Sequence, residues 1–146
     1  MPTTTDRQRD TLANNTVPAT PFERIGGHDA LRKITDRFYD LMESEPEYAD
    51  LRAIHSEDLT HMRDALASFL AGWSGGPRDW FDANPGKCMM SLHAPFAISR
   101  NLAAQWATCM QRAIRETETP DTQIADSMSD VLFRMAMGMG RDPDNS

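Results

Sequence analysis

Apolar residues recur at helical spacing along most of this chain, and no stretch of useful length alternates as a half-buried strand would. From His28 to about Glu43 the stripe is Leu31, Ile34, Phe38, Leu41 and Met42. A second stripe, Leu59, Met62, Leu66, Phe69, Leu70 and Trp73, follows Ser56-Glu57-Asp58, which reads as a capped, acid-rich helix start. A third runs from about Arg100 to Glu116, with Leu102, Trp106, Cys109, Met110 and Ala113 inward and Ser99 placed to cap it. The last stripe is Ile124, Met128, Val131, Leu132 and Met135, with Thr119-Pro120 as its expected opening. Ahead of them all, Thr20-Pro21-Phe22-Glu23 combines a capping Thr, Pro at the first helical position and Glu three residues after the cap. Gly26-Gly27 ends that short helix.

The breaks are as informative as the stripes. Pro46 marks a turn, and irregular chain is expected from there to His55. Gly75-Gly76-Pro77 stops the second long helix, and residues 78–92 are the least periodic part of the interior. They set Asn84-Pro85-Gly86 among Trp80, Phe81, Met89, Met90 and Leu92, and His93 follows directly. An irregular stretch of this length inside a compact domain is usually shaped around something. The pattern predicts an all-α domain of five or six helices over residues 21–140, without internal repeats. Residues 1–20 carry no period and read as a disordered or loosely packed extension, and residues 141–146 as a tail.

Composition narrows the class of partner. With 146 residues, 40% hydrophobic and 25% charged, the chain is suited to one soluble domain. A net charge of −7 with scattered bases argues against nucleic acid and against anionic membrane surfaces. No apolar run approaches the roughly 18 residues of a membrane span, and MPTTTDRQRD lacks a signal core, so a cytoplasmic location is expected. Cys88 and Cys109 share no metal or redox spacing and read as buried free thiols. Glu43, Glu45 and Glu47 read as a solvated acidic edge, and His28 and His61 as surface residues.

The chain has no GxSxG, Gly-rich phosphate loop, HExxH or EF-hand loop. His55 and His61 stand six apart, which is not a helical ligand pair, so zinc and di-iron sites have poor support. What remains is a surplus of large apolar side chains, with 3 Trp, 6 Phe and 10 Met, around one histidine without a second ligand near it. A single imidazole in an apolar helical pocket can hold haem iron with one face open. Taken alone, such a histidine is more often a hydrogen-bonded core residue, and a cofactor-free helical interaction module fits the composition as well.

Four segments then occur in order: Phe38-Tyr39-Asp40-Leu41-Met42; Leu66-x-x-Phe69-Leu70-x-x-Trp73-x-Gly75-Gly76-Pro77; His93-Ala94-Pro95-Phe96-x-Ile98; and Trp106-x-x-Cys109-Met110. Together, over roughly residues 21–140, they resemble the group II truncated haemoglobins, short globins with a two-over-two helical sandwich. The resemblance implies haem b (iron protoporphyrin IX) with His93 as the proximal iron ligand. It implies Tyr39 and Trp106 as distal donors to a bound ligand, and His55 at a position where members carry Tyr, His or Phe. The haem-contacting wall it implies comprises Phe38, Leu59, Met62, Leu66, Phe69, Trp80, Met90, Leu92, Phe96, Ile98 and Trp106. Two departures stand out. Ala65 and Leu92 occupy positions where family members carry bases that neutralise the haem propionates, which leaves Arg63, Lys87 or Arg100 for that task. Met62 is larger than the small residue usual there, which would narrow ligand entry.

The expected function is therefore reversible binding of oxygen and other diatomic ligands, carbon monoxide and nitric oxide among them, with sulfide a further candidate ligand. The alternative is a haem-based peroxidase or a nitric oxide dioxygenase-like activity, which needs an external reductase. Helix faces allow a monomer or a homodimer.

Overall fold

Three helices begin where a side chain caps their free N–H groups: those after Thr20, Ser99 and Asp121. In the computed structural model, which describes residues 19–85 and 98–140, α1 (Pro21–Ile25) opens on the expected capping box. The Thr20 hydroxyl accepts from Glu23 N–H at 3.1 Å, and the Glu23 carboxylate accepts from Thr20 N–H at 3.0 Å. Gly26 closes α1 at φ +115° and also precedes α2 (Gly27–Ser44). A side chain there would be strained and would meet Ala30 Cβ at 2.8 Å, so glycine sets the sharp junction between the two helices.

The turn after Pro46 is more regular than its sequence suggests. It holds a 3₁₀ turn (Pro46–Tyr48) and a short helix, α3 (Ala49–Ala53), tied down by burial of Tyr48 and Leu51. Helix α4 (Thr60–Trp73) starts later than Ser56-Glu57-Asp58 suggests: Asp58 accepts from Thr60 N–H at 2.9 Å, and Leu59 occupies the cap position. A further short helix, α5 (Asp79–Ala83), lies within the stretch expected to be irregular. Helix α6 (Arg100–Glu116) has the predicted Ser99 cap, accepting from Leu102 N–H at 3.1 Å. Helix α7 (Thr122–Met139) is capped by Asp121 rather than opened by Thr119-Pro120, since the Asp121 carboxylate takes Ile124 N–H at 3.1 Å. Seven α-helices thus occur among the described residues, one more than the upper expectation, because the five-residue α3 and α5 lack the side-chain cap that marks α1 in the sequence and are held by packing.

Helix α2 is the centre of the packing. It lies against α4 on one side and α6 on another, while α6 pairs with α7 along its length. The chain therefore builds two helix pairs, α2 with α4 and α6 with α7, laid one over the other. Leu31, Ile34, Phe38, Leu41 and Met42 of α2 are fully buried between them, with Leu70 of α4 and Cys109 and Met110 of α6. Val131, expected inward on α7, is 38% exposed; Ala125, Met128, Ser129, Leu132 and Ala136 form the buried face instead. The acidic edge is not merely solvated. Glu43 pairs with Arg52 and Arg63, and Glu45 and Glu47 pair with Arg112. His28 and His61 are exposed as expected.

Candidate functional site

The helical pitch of α2 puts Phe38 and Tyr39 on neighbouring strips of its buried face, and both rings are enclosed. They meet edge to face at 4.9 Å between centroids. From α6, Trp106 reaches the same cluster, 5.3 Å from the Phe38 ring. The loop after α3 brings His55 to 6.1 Å from the Tyr39 ring. Four residues from three parts of the sequence thus converge, three of which were expected to act as ligand donors. His55 Nδ1 lies 2.8 Å from the Leu51 carbonyl, which fixes the ring and assigns the proton to that nitrogen. Cys109 anchors the underside: it is a buried free thiol, and its Sγ donates to the Phe38 carbonyl at 3.3 Å.

A second aromatic group forms between α4 and α5. Phe69 and Trp80 meet at 5.1 Å, and Phe81 lies 5.0 Å from Trp80 and 5.5 Å from Phe69. Phe81 was not among the expected site residues. Its sequence signal was its place among the large apolar residues of the irregular stretch, and it holds Gly72 to glycine, where a Cβ would press on the Phe81 ring at 2.6 Å. Leu59 and Leu66 belong to the same core, with Met62 half-buried against it. Ile98 is half-buried just ahead of the α6 cap. His93, Met90, Leu92, Phe96, Lys87 and Cys88 lie outside the described residues, as do the extension before residue 19 and the tail after 140.

The polar chemistry of the first cluster decides what it can hold. Burial pushes the Tyr39 hydroxyl up to about 12, only partly offset by the positive charge of Arg63, so it remains a proton donor through the neutral range. Neither that hydroxyl nor the Trp106 indole N–H has a hydrogen-bond partner among the described residues. Trp106 is half-buried, and its N–H and the Tyr39 hydroxyl are thus free to meet a ligand. Two such donors beside apolar aromatic side chains suit a small ligand with an acceptor atom, and the apolar surroundings suit a large apolar cofactor. The donor set and its surroundings therefore fit haem. Arg63 does not fit the propionate role considered above, because its guanidinium is taken by Asp36 and Asp40 at 3.0 and 2.9 Å.

The comparisons agree with this geometry. Residues 20–140 match the family described as bacterial-like globin. The chain is 31% identical over 94 residues to the group 2 truncated hemoglobin YjbI of Bacillus subtilis (strain 168), covering 64% of this chain and 68% of that protein. Among solved structures, a group II 2-on-2 hemoglobin from Agrobacterium tumefaciens superposes with TM-score 0.79 at 29% identity, over 87% of this chain and 98% of that one. A truncated oxygen-avid haemoglobin from Bacillus subtilis gives TM-score 0.71 at 28% identity, over 84% and 100%.

Proposed function

The chain belongs to the bacterial-like globins and, within them, to the group 2 truncated haemoglobins, and on that premise we propose that it holds haem b through His93 and reversibly binds oxygen. The observation that carries the reading is the pair of donors, Tyr39 hydroxyl and Trp106 N–H, which have no hydrogen-bond partner among the described residues and meet the same Phe38 ring. When bound, the haem would supply an iron able to take a diatomic ligand. The protein's part is to bind, orient and exclude water. Phe38, Leu59, Leu66, Phe69 and Trp80 provide the buried apolar walls, with Met62 at their half-exposed margin. Tyr39 keeps its proton and offers it to an acceptor atom on the ligand. Trp106 has a donor and no acceptor, so it favours the same ligand polarity. Each such donor is worth about 1.5–3 kcal/mol toward a ligand carrying partial negative charge, or roughly ten- to a hundredfold in residence. The oxygen-avid relative from Bacillus subtilis is consistent with slow release. Carbon monoxide, nitric oxide and sulfide have the same small size and would be further ligands, with re-reduction left to an external reductase in the cytoplasm.

Absorption spectra test the reading. Protein loaded with haemin and reduced should give globin-like bands that change on adding oxygen or carbon monoxide. His93→Gly should lose the ferrous histidine-ligated spectrum and recover it with added imidazole. Protein that takes up no haemin would overturn the reading, and an unchanged spectrum in His93→Gly would overturn the ligand assignment.

A further inference from the structure

Arg63 follows Met62 in α4, and its side chain is only 19% exposed although it carries a full charge. Three acids of α2 surround it. One guanidinium nitrogen lies 3.0 Å from the Asp36 carboxylate and donates to the Asp36 carbonyl at 3.2 Å. The other donates to Asp40 at 2.9 Å and lies 3.6 Å from Glu43. The same group stands 5.7 Å from the centroid of the Tyr39 ring, within the roughly 6 Å at which a cation is attracted to an aromatic face. Glu43 lies 3.5 Å from Arg52 in turn, and Arg52 donates to the Ser56 and Glu57 carbonyls at 3.0 Å. Those two carbonyls belong to the loop that carries His55.

Isolated exposed ion pairs contribute little, but a planar fork held by several acceptors has one geometry. Asp36, Asp40 and Glu43 follow the helical repeat of α2 and present their oxygens along one edge, so the fork is fixed relative to the Tyr39 ring. We propose that Arg63 is a positioning residue of the ligand pocket: clamped by Asp36, Asp40 and Glu43, it holds the Tyr39 ring in place and, through Glu43 and Arg52, couples that ring to the His55 loop. A positive charge beside the phenol also makes its hydroxyl a stronger donor. The inference rests on the reading of Tyr39 as a ligand donor. The competing account is a plain staple between α2 and α4, which would affect stability alone.

The test compares Arg63→Met, which keeps the stem without the charge, with Arg63→Lys, which keeps the charge without the fork. In the reduced, haem-loaded chain, Arg63→Met should raise the infrared stretching frequency of bound carbon monoxide and speed oxygen release about two- to fivefold, with Arg63→Lys between it and the parent. A second readout needs no haem. The chain has 2 Tyr, so 3-fluorotyrosine labelling in a Tyr48→Phe background leaves Tyr39 as the single fluorine signal. That signal should shift in Arg63→Met and shift less in Arg63→Lys. Unchanged carbon monoxide stretch, oxygen release and fluorine signal, whatever happens to the melting temperature, would reduce Arg63 to a staple and overturn the proposal. Should Arg63→Met fail to fold, Arg63→Lys decides by the same three readouts. If the parent chain takes up no haemin, the functional reading fails, whereas the fluorine signal still reports separately on the Arg63–Tyr39 contact.

Discussion

Tyr39 and Thr35 sit one turn apart on α2 and are both buried, yet their hydroxyls have different standing. That of Tyr39 belongs to an aromatic cluster with Phe38 and His55 and lies beside Arg63. Thr35 is fully enclosed, and its Oγ1 has no hydrogen-bond partner among the described residues. A buried hydroxyl without a partner forfeits its hydration and gains nothing in exchange. Thr35→Val keeps the shape and removes that polar atom, so it should raise the urea midpoint by an amount corresponding to about 1 kcal/mol. A fall in the midpoint would mean that an internal water satisfies the hydroxyl.

Among the elements, α7 shows how a cap and an ion pair converge on one residue. Asp121 caps the helix through Ile124 N–H, and its other carboxylate oxygen accepts from Arg24 of α1 at 2.9 Å. Those two interactions hold its carboxyl below the usual carboxylate range, the cap contributing more. Asp121→Ala should therefore destabilise the fold by about 1 kcal/mol, the usual cost of losing a cap, whereas Thr119→Ala should change little. Thermal melts of the two variants check this, and equal losses would place the helix start at Thr119 after all.

At the scale of the whole molecule, the interior between α2 and α6 sets the response to alkali. Burial pushes the Cys109 thiol from 9.0 up to about 12 and the Tyr39 phenol from 10.0 up to about 12. Both groups are neutral when folded and lose their protons more readily once unfolded. Above pH 9 the unfolded chain binds fewer protons than the folded one, so stability is full below that pH and falls as pH rises toward 12. Urea midpoints taken between about pH 8 and pH 11 should decline, and Cys109→Ala should delay the onset by about one pH unit. A flat profile would show that neither group is protonated by burial.

Sequence alone determined the parts of this protein that depend on neighbours along the chain. Stripes such as Leu31, Ile34, Phe38, Leu41 and Met42 fixed the long helices, because a 3.6-residue repeat needs no tertiary partner to be read. The caps at Thr20 and Ser99 were legible for the same reason. The ordered motifs around Tyr39, His93 and Trp106 were enough to indicate the family, which the match over residues 20–140 bears out. Tertiary structure decided what depends on distance through space. It showed that α3 and α5 are helices, since five residues form one only when packing supports them. Packing also turned the acidic edge of α2 into a clamp on Arg63, because its acids meet that base only where α2 crosses α4. The packing of α6 and of the loop after α3 against α2 joined Tyr39, His55 and Trp106 in one cluster, although Tyr39 and Trp106 stand far apart in the chain. Periodicity could bury side chains such as Phe38 and Tyr39, but only the fold could bring Tyr39 and Trp106 to the same Phe38 ring.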